Sequence, residues 1–231
     1  MVSFRSHLAK SRIIIFAALL AAVGARAGVD TNAVLQSWFD AQAKVHSLSA
    51  DFVQTRTLKT LVQPLIAKGQ LWFAPPDRFR WELGNPAQTI AMRDGNAMYV
   101  VYPRLKRAEH YPLGASAPKQ WRDAMALLDV GFPKTRAEFD AQFQIQSLTA
   151  TDGKWQLALQ PRQAGARQFM PELRVFLSTN DFLLAGTELE FVDGSRMRND
   201  FVNTTVNEPV DARQFQWKTP PDYKLVEPFA K

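Results

Sequence analysis

The sequence predicts a mainly β protein with a few helices, in which about ten to eleven short antiparallel strands form one sheet that curls on itself. Three observations predict it. Apolar residues recur with period two from Leu48 almost to the C-terminus. The punctuation between these runs is short turn chemistry, which joins only antiparallel neighbours. Just two longer stretches carry helical spacing, and their apolar faces need a surface to bury against, which the concave side of a curled sheet provides.

The first 27 residues read as a secretory signal peptide. Arg5, Lys10 and Arg12 form a basic start, Ile13 to Val23 is an unbroken apolar run, and Ala25-Arg26-Ala27 offers small residues for cleavage. Eleven apolar residues are too few for a permanent membrane span, which takes about 20. The expected mature protein is then residues 28–231, a single exported domain in the periplasm.

A helix comes next, capped by Asp30 or Thr31, with Val34, Leu35, Trp38, Phe39 and Val45 on one side. Leu48, Ala50 and Phe52 then alternate with polar residues, and Phe79, Trp81 and Leu83 alternate with Arg78, Arg80 and Glu82. Gly69 to Phe73, Gln88 to Arg93, Ala97 to Tyr102 and Arg107 to Tyr111 complete a meander. Its turns are Pro75-Pro76-Asp77, Gly84-Asn85-Pro86, Asp94-Gly95-Asn96 and Tyr102-Pro103. Pro118 opens an inserted helix with Trp121, Met125 and Leu128 at i, i+4 and i+7, stopped by Gly131 and Pro133. Thr135 and Glu138 form a capping box for a short helical turn. Strands resume at Phe143 to Thr149, Lys154 to Gln160, Glu172 to Ser178, Phe182 to Glu190 and Arg196 to Val206, and a last one is expected around Gln214 to Lys218.

Composition narrows the function. The chain has 28 Lys and Arg against 22 Asp and Glu, a net charge of +6. Four of the basic residues and none of the acidic ones lie in the leader, so 24 face 22 afterwards, and nucleic acid is not an expected partner. There is no cysteine, which removes disulfides, Cys nucleophiles and Cys-based metal sites. His46 and His110 have no neighbours at metal spacing, and Glu188 and Glu190 share a solvated strand face. No nucleophile elbow, P-loop or dinucleotide-binding glycine pattern occurs. Neither catalysis nor a cofactor or metal is expected.

Phe52-Val53-Gln54, Gly69-Gln70-Leu71-Trp72, Pro76 and Phe79-Arg80-Trp81 resemble, in order, the opening motifs of the LolA family of periplasmic lipoprotein carriers. Pro86, Gln88, Ile90, Asp94-Gly95, Tyr99 and Tyr102-Pro103 continue the likeness, and Asn207 to Asp211, Phe215 and Pro220-Pro221 resemble its closing segment. The resemblance implies an unclosed, strongly curved antiparallel barrel with a helical lid. It implies a monomeric chaperone that takes lipoproteins from an inner-membrane ABC transporter (LolCDE-like), shields their acyl chains and hands them to an outer-membrane acceptor (LolB-like). Two departures stand out. The family's lid-latching Arg is replaced by Pro75, leaving Arg78 or Arg80 as substitute latches. Leu58 to Lys68 is an apolar connection more like LolA-related branches.

The expected lipid-binding cavity is the apolar inward face of the strands: Phe52, Leu71, Phe73, Phe79, Trp81, Ile90, Met92, Met98 and Val100. Trp121, Met125 and Leu128 are expected to close it from the inserted helix. The bland alternative is a core packed by its own side chains. Three other functions compete with the lipoprotein carrier: a LolA-like carrier or sensor for another lipid or glycolipid, an enzyme on the same sheet, and a plain structural protein.

Overall fold

A computed structural model describes residues 30–94, 97–114, 117–118, 131–133 and 135–229. The chain opens with α1 (Thr31–Gln42), whose N-cap Asp30 accepts hydrogen bonds from the backbone N–H of Asn32 and Ala33. A meander follows: β1 (Leu48–Thr57), β2 (Leu65–Ala74), β3 (Arg78–Leu83), β4 (Thr89–Asp94), β5 (Ala97–Tyr102) and β6 (Arg107–Pro112). Helix α2 (Arg136–Gln142) is capped by the Thr135 hydroxyl, which accepts from Glu138 N–H at 3.1 Å. The second half contains β7 (Phe143–Thr151), β8 (Lys154–Pro161), the short α3 (Ala164–Arg167), β9 (Glu172–Ser178), β10 (Leu184–Glu190), β11 (Arg196–Val206) and β12 (Lys224–Val226). The expected inserted helix, with Trp121, Met125 and Leu128, lies outside the described residues.

All twelve strands join one sheet in the order β12-β6-β5-β4-β3-β2-β1-β11-β10-β9-β8-β7, and its two ends do not meet. The two halves are stitched through β1 and β11, a long-range antiparallel pair. A register shift between Ser49 and Asp51 bends this seam, where Asn203 takes a positive φ and donates from Nδ2 to Asp51. Asn207 anchors α1 to the sheet: its side chain accepts from His46 N–H at 2.7 Å and donates to Lys44 O at 3.0 Å. Leu35 and Trp38 of α1 and Phe139 of α2 thereby pack on the concave side against Leu157, Leu173 and Leu177.

Close contact explains one glycine. Gly69 stands opposite Phe52 on β1 and Leu83 on β3. A Cβ there would fall on the Phe52 ring and the Glu82 carbonyl, so only glycine leaves room for the ring to lie against the strand.

Two expectations change at the C-terminal end. Residues 214–218 are not a strand; Ala212–Phe215 is a 3₁₀ turn followed by extended chain. The last strand is β12, and it pairs parallel to β6 after a long crossing of the convex side. The alternating Phe215 and Trp217 that suggested a strand serve that crossing: Phe215 is buried, and Trp217 packs against the convex cluster of Ile90, Met92, Val101 and Ala108.

The β1–β2 connection projects from the sheet. Leu61, Val62, Leu65 and Ile66 are exposed, Val62 almost completely at 97%.

Candidate functional site: an apolar cavity on the concave face

Cross-strand register decides which residues face inward. Leu48, Ala50, Phe52 and Gln54 on β1 stand opposite Phe73, Leu71, Gly69 and Ala67 on β2. Leu71 and Phe73 stand opposite Trp81 and Phe79 on β3, and these oppose Ala91 and Arg93 on β4. Ala91 and Arg93 lead to Val100 and Met98 on β5. Because side chains alternate across a pleated strand, everything on these rungs lies on one face.

That face contains a cavity of about 240 Å³, lined from this half by Leu71, Phe73, Phe79, Trp81, Ala91 and Met98. The far wall is Leu184, Leu189, Met197 and Phe201, and Gly131 and Phe132 complete the lining. Phe132 stacks on Phe73 with ring centroids 4.1 Å apart, so an aromatic contact ties Phe132 to the wall at β2. Phe52, Trp81 and Phe201 form a second aromatic group, with Phe52 and Trp81 at 3.9 Å and Trp81 edge-on to Phe201 at 6.0 Å.

The structure therefore brings Phe52, Leu71, Phe73, Phe79, Trp81, Met98 and Val100 to one face. It separates Ile90 and Met92 from them. Ile90 opposes Glu82 and Val101, and Met92 opposes Arg80 and Tyr99, all on the convex side. Those two residues are apolar because Trp217 and Tyr223 of the C-terminal crossing cover them. The inward residues of β4 are Thr89, Ala91 and Arg93, which counting by twos from Trp81 through the β3–β4 register identifies.

Among the described residues neither expected latch reaches α1, α2 or α3. Arg78 and Arg80 alternate with Phe79 and so face the convex side. The Arg78 guanidinium lies 5.3 Å from the centre of the Phe215 ring. Arg80 pairs with Glu82 and donates from Nη1 to Gln214 O at 3.1 Å. Both hold the C-terminal crossing. Arg93 faces the concave side, in a neighbouring cleft of about 220 Å³ with Asp77, Phe79 and Glu138 of α2.

Two buried polar groups lie on the concave surface. Gln54 and Asn199, each 5% exposed, face the cavity and are joined by a hydrogen bond. On β6, Glu109 is 9% exposed and accepts from Arg107 Nη2 at 2.5 Å and Tyr111 Oη at 2.6 Å. Burial, reinforced by the Glu109 carboxylate, pushes the Tyr111 phenol well above its ordinary range. Sequence periodicity missed both groups, because a buried Gln or Glu at an inward position reads as an exception to the pattern.

The residues weighed for catalysis stand apart from the cavity. His110 faces the convex side, with Nδ1 3.4 Å from Glu227. Glu188 and Glu190 belong to a convex ion ladder in which Arg174, Arg196 and Arg198 neutralise them. Among the described residues no cluster of His, Asp or Glu could hold a metal ion, and no helix is long and apolar enough to cross a membrane.

The profile of the family described as outer membrane lipoprotein carrier protein LolA matches residues 43–218. The chain belongs to the LolA family. Among relatives, an outer-membrane lipoprotein carrier protein of Bordetella avium (strain 197N) is 27% identical over 190 residues, 80% of this chain and 83% of that one. Another of the same description, from Chromohalobacter salexigens, is 27% identical over 177 residues, 76% and 78% of the two chains. Among solved structures, an uncharacterized conserved protein of Thermus thermophilus superposes with a TM-score of 0.50 at 9% identity, covering 85% of this chain and 98% of that one. That likeness concerns the fold alone.

Proposed function

We propose that this LolA-family chain is an exported carrier whose concave cavity shields the acyl chains of lipoproteins during transfer from the inner to the outer membrane. The observation that carries this reading is the cavity itself. Aromatic and aliphatic side chains from both halves of an unclosed sheet converge on it, and Phe132 stacks on Phe73 in its wall. Each buried CH₂ of a cargo chain contributes about 0.8 kcal/mol, so such a surface keeps an acyl chain soluble without any energy source of its own.

The family match over residues 43–218 includes every strand that lines the cavity, and the two relatives named above are lipoprotein carriers by description. Both facts support assigning the same class of cargo here. Residues 1–27 serve as the export signal in this reading, and residues 28–231 as one monomeric binding domain. The protein acts by binding rather than by catalysis. An inner-membrane lipoprotein-releasing transporter loads it, and an outer-membrane acceptor receives the cargo. Opening requires breaking the Phe73–Phe132 stack and its surroundings, a contact of about 0.5–1.5 kcal/mol beyond area burial, small enough to be reversible.

Mass spectrometry of what co-purifies with the protein from the periplasm tests the reading. Acylated protein is expected. Recovery of free glycolipid or another lipid in place of acylated protein would move the assignment to a different cargo.

A further inference from the structure

A polar ladder crosses the otherwise apolar cavity. Gln54 on β1, Asn199 on β11 and Thr187 on β10 occupy one rung, each opposite the next, and all three line the cavity. Gln54 Nε2 donates to Asn199 Oδ1 at 3.0 Å, and Asn199 Nδ2 donates to Thr187 Oγ1 at 3.2 Å. The chain of bonds runs one way. It leaves the Thr187 hydroxyl hydrogen and one N–H each of Gln54 and Asn199 without an acceptor among the described residues, against one spare acceptor, Gln54 Oε1.

The cavity-lining members of the neighbouring rungs are apolar: Phe201, opposite Phe52, on one side, and Met197 with Leu189 on the other, where the β1 position is the exposed Arg56. A packed core would gain nothing from three amides and hydroxyls at this level, since replacing both partners of a buried hydrogen bond by apolar groups is close to neutral. Spare donors facing an apolar space instead match a ligand that is hydrocarbon along most of its length and carries a hydrogen-bond acceptor at one point. An ester carbonyl has that chemistry: it accepts and cannot donate.

We infer that the Gln54–Asn199–Thr187 ladder is a subsite for the ester carbonyl of a glycerol-linked acyl chain, and that it sets how deep the chain sits. The inference rests on the acyl-carrier reading above and adds a polarity requirement to it. Alkyl chains without a carbonyl fill the same cavity but leave these donors unpaired, and a site built to hydrogen-bond a group discriminates against an analogue that lacks it.

The test compares lysophosphatidylcholine, which has one ester-linked chain, with its alkyl-ether analogue of equal length. Each displaces a fluorescent fatty acid from the purified mature protein. The ester is expected to bind about tenfold tighter, the worth of one buried hydrogen bond. Thr187→Val should reduce the ester-to-ether affinity ratio to about twofold. Equal affinities in the parent protein would overturn the ladder's role and leave the carrier reading standing. Displacement by neither lipid would remove both. The parent comparison needs no variant, so a misfolded Thr187→Val does not spare the inference.

Discussion

Met92→Ala separates the two faces of the β-sheet. Met92 is 1% exposed on the convex side, among Ile90, Val101, Ala108, Trp217 and Tyr223, and it takes no part in the cavity wall. Truncation removes three heavy atoms from a closed apolar cluster. Transfer of about two methylene equivalents and a sulfur costs roughly 2 kcal/mol, and the unfilled space adds to it, giving about 3 kcal/mol, within the roughly 2–5 observed for such changes. For a domain of this size each kcal/mol lowers Tm by about 2–4 °C, so a drop of about 6–12 °C is expected. Affinity for a fluorescent fatty acid should stay within about twofold of the parent at a temperature where both are folded. Circular dichroism melting and probe titration on the same preparation read both quantities. A tenfold loss of probe affinity with Tm unchanged would mean that Met92 faces the ligand and that the assignment of faces is inverted.

Gly69→Ala should be costly although it adds one methyl group, because the new Cβ meets the Phe52 ring and the fixed Glu82 carbonyl. About 3 kcal/mol lost in urea denaturation is expected, and a loss below about 0.5 kcal/mol would show that the strand pair yields there. Arg80→Ala should release the C-terminal crossing by removing the bond to Gln214 O, speeding amide exchange in 212–226 with little change in β9 and β10. Uniform acceleration across the sheet would count against this. Hydrogen bonds from Arg198 hold the Asp200 carboxyl below its ordinary value of 3.8. The stability this adds is full above 3.8 and disappears as pH falls through the lower folded value, since the unfolded state then takes up the proton first. Asp200→Asn should therefore lower Tm at neutral pH and converge with the parent in strong acid. A gap that persists in strong acid would trace to packing instead.

The sheet was largely legible because one face of most strands is apolar and the other polar, and turn residues punctuate them. Phe79, Trp81 and Leu83 announced both their strand and their face. Legibility failed where the convex side is also covered. Ile90 and Met92 look inward by hydrophobicity, yet a crossing more than a hundred residues later in the chain seals them from outside. The same crossing misled the reading of Arg78 and Arg80, since nothing local in β3 reveals that Phe215 and Gln214 return to it. Phe215 and Trp217 alternate like a strand, but the backbone partner was taken by β12, whose three residues are too short to show a period. The polar ladder was invisible for another reason: its members are distant in sequence, and only register places Gln54, Asn199 and Thr187 on one rung.

The central claim is that acyl chains occupy the concave face, and site-specific photo-crosslinking in cells tests it most directly. Phe79 and Arg80 are adjacent on β3, yet Phe79 lines the cavity while Arg80 faces the C-terminal crossing. A photoreactive residue at Phe79 is expected to capture lipoprotein, with the adduct lost when lipoprotein acylation is blocked. The same residue at Arg80 should capture none. Adducts at Arg80 and none at Phe79 would contradict the account.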